Sequence, residues 1–515
     1  MSNAPAIRVL MELRTCFEGF AGIPQETRLL FSAFLDRPAL AVDGLINHTG
    51  TRLGRAIKTT QLDDPETHRR YDRLSRFVAS TLPPDRLTWF GRRRSEAYFE
   101  LAPKWLALCA KLGNVLTLDH FDASDYGDFL WDTLFTASLD SADLPKLATA
   151  RYRTLSTPWR ALHRAGLVAG PNVAAYPVID TRGYDIAFVQ TPYPARVSPG
   201  TKMVVRYHDA IPMFQTNTIP TARFHRKSHY RALLANSPDA VFACTSSAVR
   251  DDLLRMFPAV EKRAVVVHDV VSHHYYPEKK RTGAAAEIIR TRLNPKTESK
   301  QASAPNAMAA VPGQMAPSFY DRHLTAQPLR YLLMVSSIEP RKNHTRLMRA
   351  WEILRGRGEK DLKLVLVGSL GWHVDPILDS FKTWQARGQL FHLSGVPFAD
   401  LRQLFAAAEC VVCPSIAEGF DLSGIEAMAC GGLVAASDIP VHREVYGEGS
   451  VYFDKFSPEH IADTIGALIA PAASEQRAAL RERGLAQAQR YQREVIAPKW
   501  QALFEASASG QYHSA

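Results

Sequence analysis

Short runs of apolar and β-branched residues recur along the chain, each running out into small or charged residues, and many are separated by stretches with helical spacing. IRVLMEL (7–13) reads as a buried strand, and FAGIPQETRLLFSAFL (20–35) as a glycine-containing turn feeding a helix. Strand-like runs follow at DIAFVQ (185–190), KMVVRYH (202–208), AVFACTS (240–246) and AVVVHDVV (264–271). A second series starts at RYLLMVSS (330–337) and continues through DLKLVLVGS (361–369), QLFHLSGV (389–396), ECVVCPS (409–415), GGLVAASD (431–438) and SVYFD (450–454). Near-continuous apolar strands alternating with helices predict parallel sheets with helices on both faces. Two series predict two α/β domains facing a cleft, with ligands at the carboxyl ends of the strands.

Between about 40 and 170 the apolar spacing is more helical than alternating, so a mostly helical insertion is predicted there. Within it, PKWLALCAKL (103–112) carries its proline where the first turn of a helix tolerates one. From 295 to 317 the chain reads PKTESKQASAPNAMAAVPGQMAP, without an aromatic residue, which predicts a mobile linker. The stretch from about 474 to 508 has the spacing of one long amphipathic helix. The predicted organisation is an N-terminal domain over 1–294, a linker over 295–328, a C-terminal domain over 329–490, and a terminal helix over 491–515 that crosses back to the first domain.

Composition supports this picture. A chain of 515 residues exceeds what one core usually holds, and 46% hydrophobic with 22% charged residues is globular, neither disordered nor fibrous. Six cysteines are too scattered for a disulfide framework. Cys410 and Cys413 form a CxxC inside an apolar run with no second ligand pair nearby, so buried thiols are expected rather than a zinc or redox pair. The opening MSNAPAIRVLMEL lacks a basic leader, and no stretch gives 18 uninterrupted apolar residues, so a cytoplasmic protein that does not span a membrane is expected. Net charge is +10, and between residues 52 and 94 eleven Lys and Arg stand against five Asp and Glu. With Trp89 and Phe90 ahead of Arg92, Arg93 and Arg94, that segment suits an anionic bilayer or a lipid-diphosphate acceptor, or equally a solvated helical face. No recognised nucleic-acid module accompanies the charge.

The chemistry-bearing residues gather at the carboxyl ends of strands. In SSIEPRKNHTRL (336–347), Arg341 and Lys342 precede a helix expected to start near Asn343, an arrangement that suits a diphosphate, against the plainer reading of a solvated loop. In EGFDLSGIE (418–426), Ser423 and Glu426 have the spacing of a capping box, which by itself accounts for Glu426. Glu418 has no such local reason, and beside Gly419 it suits recognition of hydroxyl groups. In VVRYHDAIP (204–212), His208 and Asp209 end a strand and either orient a ligand or are satisfied structurally. DHFDASD (119–125) has acidic spacing but reads as a surface loop, and there is neither a Walker loop nor GxGxxG.

Taken together, EPRKN (339–343), VGSLGW (367–372), EGFDLSGIEAMACGG (418–432) and SDIPVHREVYG (437–447) resemble the retaining glycosyltransferases of family 4, which have the GT-B fold and an E-x7-E signature. FAGIPQETRLL and the YHDAIP block are similar to that family's first-domain motifs more loosely, and 40–170 matches none of them. The resemblance implies that Glu426 binds ribose hydroxyls of a nucleotide-sugar, and that Glu418 with the Gly419 and Phe420 amides holds the donor sugar. Lys342, assisted by Arg341, would neutralise the diphosphate without a metal or other cofactor. His208, next to Asp209, would approach the sugar from the first domain, and Gly22 and Ile23 would line the site near the phosphates. Many family members carry an arginine near Ser336 and read EGFGLP where this chain reads EGFDLS. Asp421, Leu422 and Ser423 therefore mark a departure at the donor site, with a capping serine in place of a helix-starting proline.

The implied activity is hexose transfer, mannose or rhamnose type, from a nucleotide-sugar, GDP favoured over UDP, to a saccharide or lipid-linked acceptor in bacterial O-antigen or capsule assembly. The enzyme would be cytoplasmic, with peripheral contact at the inner face of the cytoplasmic membrane, and would use no nucleic acid. An epimerase on the same fold and a non-catalytic nucleotide-sugar-binding protein remain open alternatives.

Overall fold

The computed structural model describes residues 5–20, 22–58, 67–81, 89–168, 176–219, 221–293, 322–325 and 328–511. The chain forms two compact units, one of residues 1–216, 221–270 and 493–515, the other of 217–220 and 271–492. The predicted linker, 295–328, lies outside the described residues except at 322–325 and 328. Residues 271–293, assigned from sequence to the first domain, belong to the second unit.

The first unit is built on an eight-stranded sheet, beside a small sheet of three two-residue strands: β1 (Ile7–Glu12), β2 (Leu40–Ile46), β3 (Asp119–Phe121), β4 (Arg151–Thr154), β5 (Ile186–Val189), β6 (Lys202–Tyr207), β7 (Val241–Cys244) and β8 (Ala264–Val266) form the large one. Their order is β8-β7-β6-β5-β1-β2-β4-β3, parallel except for β3. Parallel strands need both faces covered, and β5 and β7 are buried at every position.

The described part of 40–170 is mostly helical, but it is not an insertion, because it supplies β2, β3 and β4 to this sheet. Two features hid them. In β2 (LAVDGLI) an Asp-Gly pair reads as a turn, yet Gly44 is needed because a Cβ there would stand 2.5 Å from Leu13 Cδ1. In β4 (RYRT) Arg151 and Arg153 reach across to buried Asp43 of β2, at 2.8 and 3.3 Å, so ion pairs hold a strand that lacks apolar alternation. Pro103 is also misplaced by the sequence reading: it lies within a long helix, Trp89–Lys111, not in its first turn.

The second unit carries β9 (Tyr331–Val335), β10 (Lys363–Val367), β11 (Leu390–Leu393), β12 (Cys410–Cys413), β13 (Val434–Ser437) and β14 (Ser450–Phe453). All are parallel, in the order β11-β10-β9-β12-β13-β14. The chain leaves β9 toward one edge and returns to start the other half at β12, so the direction of winding switches between these two strands. A crevice opens at the carboxyl end of such a pair, because their loops run apart to opposite faces. The final stretch is two helices, Ser474–Gln489 and Arg493–Ser509, and not the single one predicted.

Among the described residues, no helix is long and apolar enough to cross a membrane. Cys410 and Cys413 are buried thiols, and burial pushes Cys410 up to about 12, far from a reactive thiolate.

Candidate functional site

The loops that follow β9 and β12 form one surface. After β9 the chain makes a 3-10 turn, Pro340–Lys342, and enters the helix His344–Gly356 through Asn343, whose backbone is left-handed (φ 65°). Asn343 Nδ2 donates to the carbonyls of Pro414 (3.0 Å) and Lys455 (2.9 Å), beyond β12 and β14. Ile416 N donates to Arg341 O at 2.9 Å, and Lys455 Nζ to Ile416 O at 3.0 Å. Asp421, also left-handed (φ 68°), stands at the start of the helix Leu422–Ala429.

This surface joins residues 76 apart in sequence. Lys342 Nζ lies 2.6 Å from Glu418 Oε1, and Arg341 Nη1 lies 2.6 Å from Glu418 Oε2. Arg341 also donates to Glu339 Oε1 (2.6 Å) and to Ala417 O (2.7 Å). Burial alone would push the Glu418 carboxyl up, but Arg341 and Lys342 outweigh it and hold it below its ordinary value. Burial would lower Lys342, yet Glu418 and Asp421 raise it, so the ammonium stays charged. Glu418 is thus an ionised carboxylate with each oxygen on a cation and lone pairs to spare for a hydroxyl donor.

Asp421 is held from three sides. Ser423 Oγ donates to its Oδ1 at 2.8 Å, His442 Nε2 lies 3.1 Å from its Oδ2, and Tyr446 Oη donates to its carbonyl at 3.0 Å. Lys342 Nζ stands 3.9 Å away. Burial pushes this carboxyl up, but Lys342 and His442 overcome it and hold it well below the usual carboxylate range.

Ser423 is not the capping residue expected from sequence. It is the second residue of the helix, its hydroxyl is turned back to Asp421, and Asp421 occupies the cap position without a side-chain capping bond. The capping-box account of Glu426 therefore fails. Glu426 is buried in the helix and its carboxylate takes a hydrogen bond from the Tyr275 phenol, whose proton is held tighter by burial first and by Glu426 second. Phe420 is buried, with its ring edge-on to Tyr491 (centroids 5.2 Å apart). Gly419 lies half-buried between Glu418 and Phe420, and the Leu422 side chain is buried at the helix start.

The remaining candidates lie in the first unit, around the carboxyl ends of β1 and β6. Gly22 caps the helix Ile23–Leu35 with a positive φ of 69°, which a side chain would strain, and Ile23 follows half-buried. Asp209 caps a short turn by accepting from Ile211 N at 2.9 Å, a structural role. His208 Nδ1 lies 3.6 Å from Glu26 Oε2, while its Nε2 is buried and has no hydrogen-bond partner among the described residues. Burial, reinforced by Arg206, holds His208 well below its ordinary value, so the imidazole is neutral.

Glu26, His208 and Asp269 have ligand atoms close enough to share a cation. The Arg206 guanidinium already serves as that cation: it binds Glu26 Oε1 at 2.5 Å and pairs with Asp269.

Sequence reasoning missed His442, Tyr446 and Tyr275. The first two sit four apart in PVHREVY, on one face of the helix Pro440–Tyr446, and that spacing was the available signal; their rings stack with centroids 4.9 Å apart. Tyr275 follows no regular element and offered none.

Compared with known proteins, residues 320–487 match the family described as "Glycosyl transferases group 1", so the second unit carries a domain of that kind. Over 163 residues the chain is 34% identical to O-antigen chain mannosyltransferase B of Escherichia coli, covering 31% of this chain and 42% of that protein. It is 35% identical over 134 residues to the E. coli serotype-specific mannosyltransferase WbdA, covering 26% of this chain and 16% of that one. The chain thus spans less than half the length of either relative. Among solved structures, sucrose-phosphate synthase from Thermosynechococcus elongatus is similar with a TM-score of 0.57 at 14% identity, over 98% of this chain and 100% of that one. At that identity the likeness shows the fold, which is GT-B.

Proposed function

We propose that this chain is a retaining glycosyltransferase of the family 4 type. It would transfer a mannose- or rhamnose-type hexose from a GDP-sugar to a saccharide or lipid-linked acceptor in bacterial O-antigen assembly, working in the cytoplasm with peripheral contact at the inner membrane face. The observation that carries the reading is the convergence of Lys342 and Arg341 on Glu418 where the winding of the second sheet switches. The match to group 1 transferases supports the reaction type, and the two mannosyltransferase relatives support the sugar.

The chemistry follows from charge. Breaking the bond between the anomeric carbon and phosphate builds negative charge on the departing diphosphate, and Lys342 and Arg341 stabilise it from fixed positions. Glu418 keeps both cations in place and takes hydroxyls of the sugar on its free lone pairs. Glu426, held by Tyr275, receives the ribose hydroxyls, and the amides of Gly419 and Phe420 with the start of the helix Leu422–Ala429 complete the donor contacts. The neutral His208, with its unpartnered Nε2, is suited to accept a hydrogen bond from a sugar hydroxyl. No metal is required where two cations already meet the diphosphate.

The test is a thermal-shift panel of GDP, GDP-mannose, UDP and UDP-glucose, with slow donor hydrolysis measured alongside. GDP and GDP-mannose are expected to raise the Tm of the wild type. Lys342→Ala should weaken donor binding by about 2 kcal/mol, the value of a charge-assisted hydrogen bond. Glu426→Ala should weaken GDP and GDP-mannose together while leaving inorganic diphosphate binding intact. Absence of any nucleotide-induced shift in the wild type removes the site assignment, and conversion of the donor to an isomer without acceptor removes the transferase reading.

A further inference from the structure

Three helices of the first unit pack side by side: α1 (Trp89–Lys111), α2 (Trp159–Val168) and α3 (Ala222–Asn236). Their inner sides join the core through Leu106, Ala107, Ala161, Leu162 and Leu233. The outer side of the last three turns of α1 is unusual. Every position from 101 to 112 that points outward is a large apolar residue or a lysine: Leu101, Lys104, Trp105, Leu108, Lys111 and Leu112. Trp105 is 62% exposed and Leu112 66%, and the apolar four fall at i, i+4, i+7 and i+11, a single stripe. The neighbouring helices continue the theme. Neither α2 nor α3 contains an acidic residue, and they expose Arg160, Arg223, Arg226 and Lys227 beside Val168, Tyr230 and Leu234. A cleft of about 520 Å³ between Leu167 and the start of α3 is lined by Phe224 and flanked by Arg223 and Lys227.

We infer that this helix face docks on an anionic lipid bilayer, with the Leu101–Trp105–Leu108–Leu112 stripe inserted at the headgroup boundary and the basic side chains of all three helices on lipid phosphates. An exposed apolar stripe of this size marks a contact surface rather than a solvated one. Lysine interleaved with tryptophan and leucine separates the candidates for what covers it. Protein interfaces deplete lysine from their centres, whereas at a bilayer the long stem lies along the apolar layer while the ammonium reaches the phosphates. A shallow apolar insertion combined with several cations supplies the two signals that stable peripheral binding needs. The inference deepens the membrane contact in the proposed function by assigning it to α1, α2 and α3, where sequence pointed to 52–94, and it does not depend on the donor site.

The experiment is sedimentation of the full chain with vesicles of roughly 30% phosphatidylglycerol in phosphatidylcholine, against phosphatidylcholine alone, at low and high salt. The wild type is expected to bind the anionic vesicles and not the neutral ones, with binding reduced by salt. Trp105→Ser with Leu108→Ser, and separately Lys104→Glu with Lys111→Glu, should each lower the bound fraction about ten-fold. All four positions are exposed, so the Tm and any nucleotide-induced shift should stay at wild-type values. If the wild type ignores anionic vesicles, or both double variants bind as well as it does, the inference is overturned. A dimer in solution that becomes a monomer in the Trp105/Leu108 variant, without vesicle binding, overturns it in favour of a second copy on this face. Loss of the nucleotide shift with vesicle binding retained sinks the donor-site reading and leaves this one standing.

Discussion

Asp421 is the residue at which this chain departs from the motif it resembles, and its backbone explains the departure. A left-handed residue is where glycine, the residue of many family members at this position, sits without strain, and aspartate is among the few side chains that tolerate it. Ser423, His442 and Tyr446 each bond to it, and Lys342 neutralises it, so the position is held by polar contacts. These contacts carry a pH dependence. The folded pKa of Asp421 is depressed, and that of Glu418 lies below its ordinary value, so their stabilisation is full above the unfolded-state values near ~4 and is lost as pH falls through that region and below. The wild-type Tm is expected to fall steeply below about pH 4. Asp421→Asn, which removes a buried partner of Lys342, should cost about 3 kcal/mol at neutral pH and flatten that acid limb. A variant whose acid limb matches the wild type would show that other carboxylates set it. From sequence the two glutamates and two cations of this site were visible, but their pairing was not, because Lys342 and Glu418 meet only once β9 and β12 are neighbours.

At the scale of elements, the central strands of both sheets were legible because buried parallel strands are written as unbroken apolar runs. What escaped was held by something other than that pattern: β4 by its arginines on Asp43, and β2 by a glycine that packing requires. The loops at the strand ends follow the same logic of close approach. Gly368, just past β10, comes so near the loop after β9 that a Cβ there would stand 1.9 Å from the Ser336 carbonyl oxygen. Neither backbone can yield easily, since Ser336 N is bonded to Val367 O and Gly368 N to Leu393 O, both at 2.9 Å. Gly368→Ala is therefore expected to push apart the turn that carries Arg341 and Lys342, lowering stability by about 1–3 kcal/mol and weakening nucleotide binding in the same variant. Binding at wild-type strength in a destabilised Gly368→Ala protein would mean that the turn keeps its position independently of β10.

For the whole molecule, the chain does not run simply from one domain to the next. The first unit takes its last element from the far end: the helix Arg493–Ser509 belongs with residues 1–216 and 221–270, although the entire second unit intervenes. Trp500 of that helix is fully buried, 4.7 Å from Phe188 between ring centroids, with Phe504 5.4 Å from Phe34 and the Arg206 guanidinium 5.1 Å above the Trp500 ring. The sequence reading sent this helix back to the first domain, but the side chains it meets there are not written in an apolar stripe, which matches any complementary core. Since the stripe completes the core of the first unit, Trp500→Ala should destabilise that unit by about 3–5 kcal/mol, the cost of a large cavity in a packed interior. Arg341, Lys342, Glu418 and Glu426, which would meet the nucleotide, all lie in the second unit, so the transition that GDP raises is expected to keep its midpoint while the transition of the first unit moves down. Differential scanning calorimetry with and without GDP separates the two. Equal displacement of both transitions, or of neither, would show that Trp500 does not act through the core of the first unit.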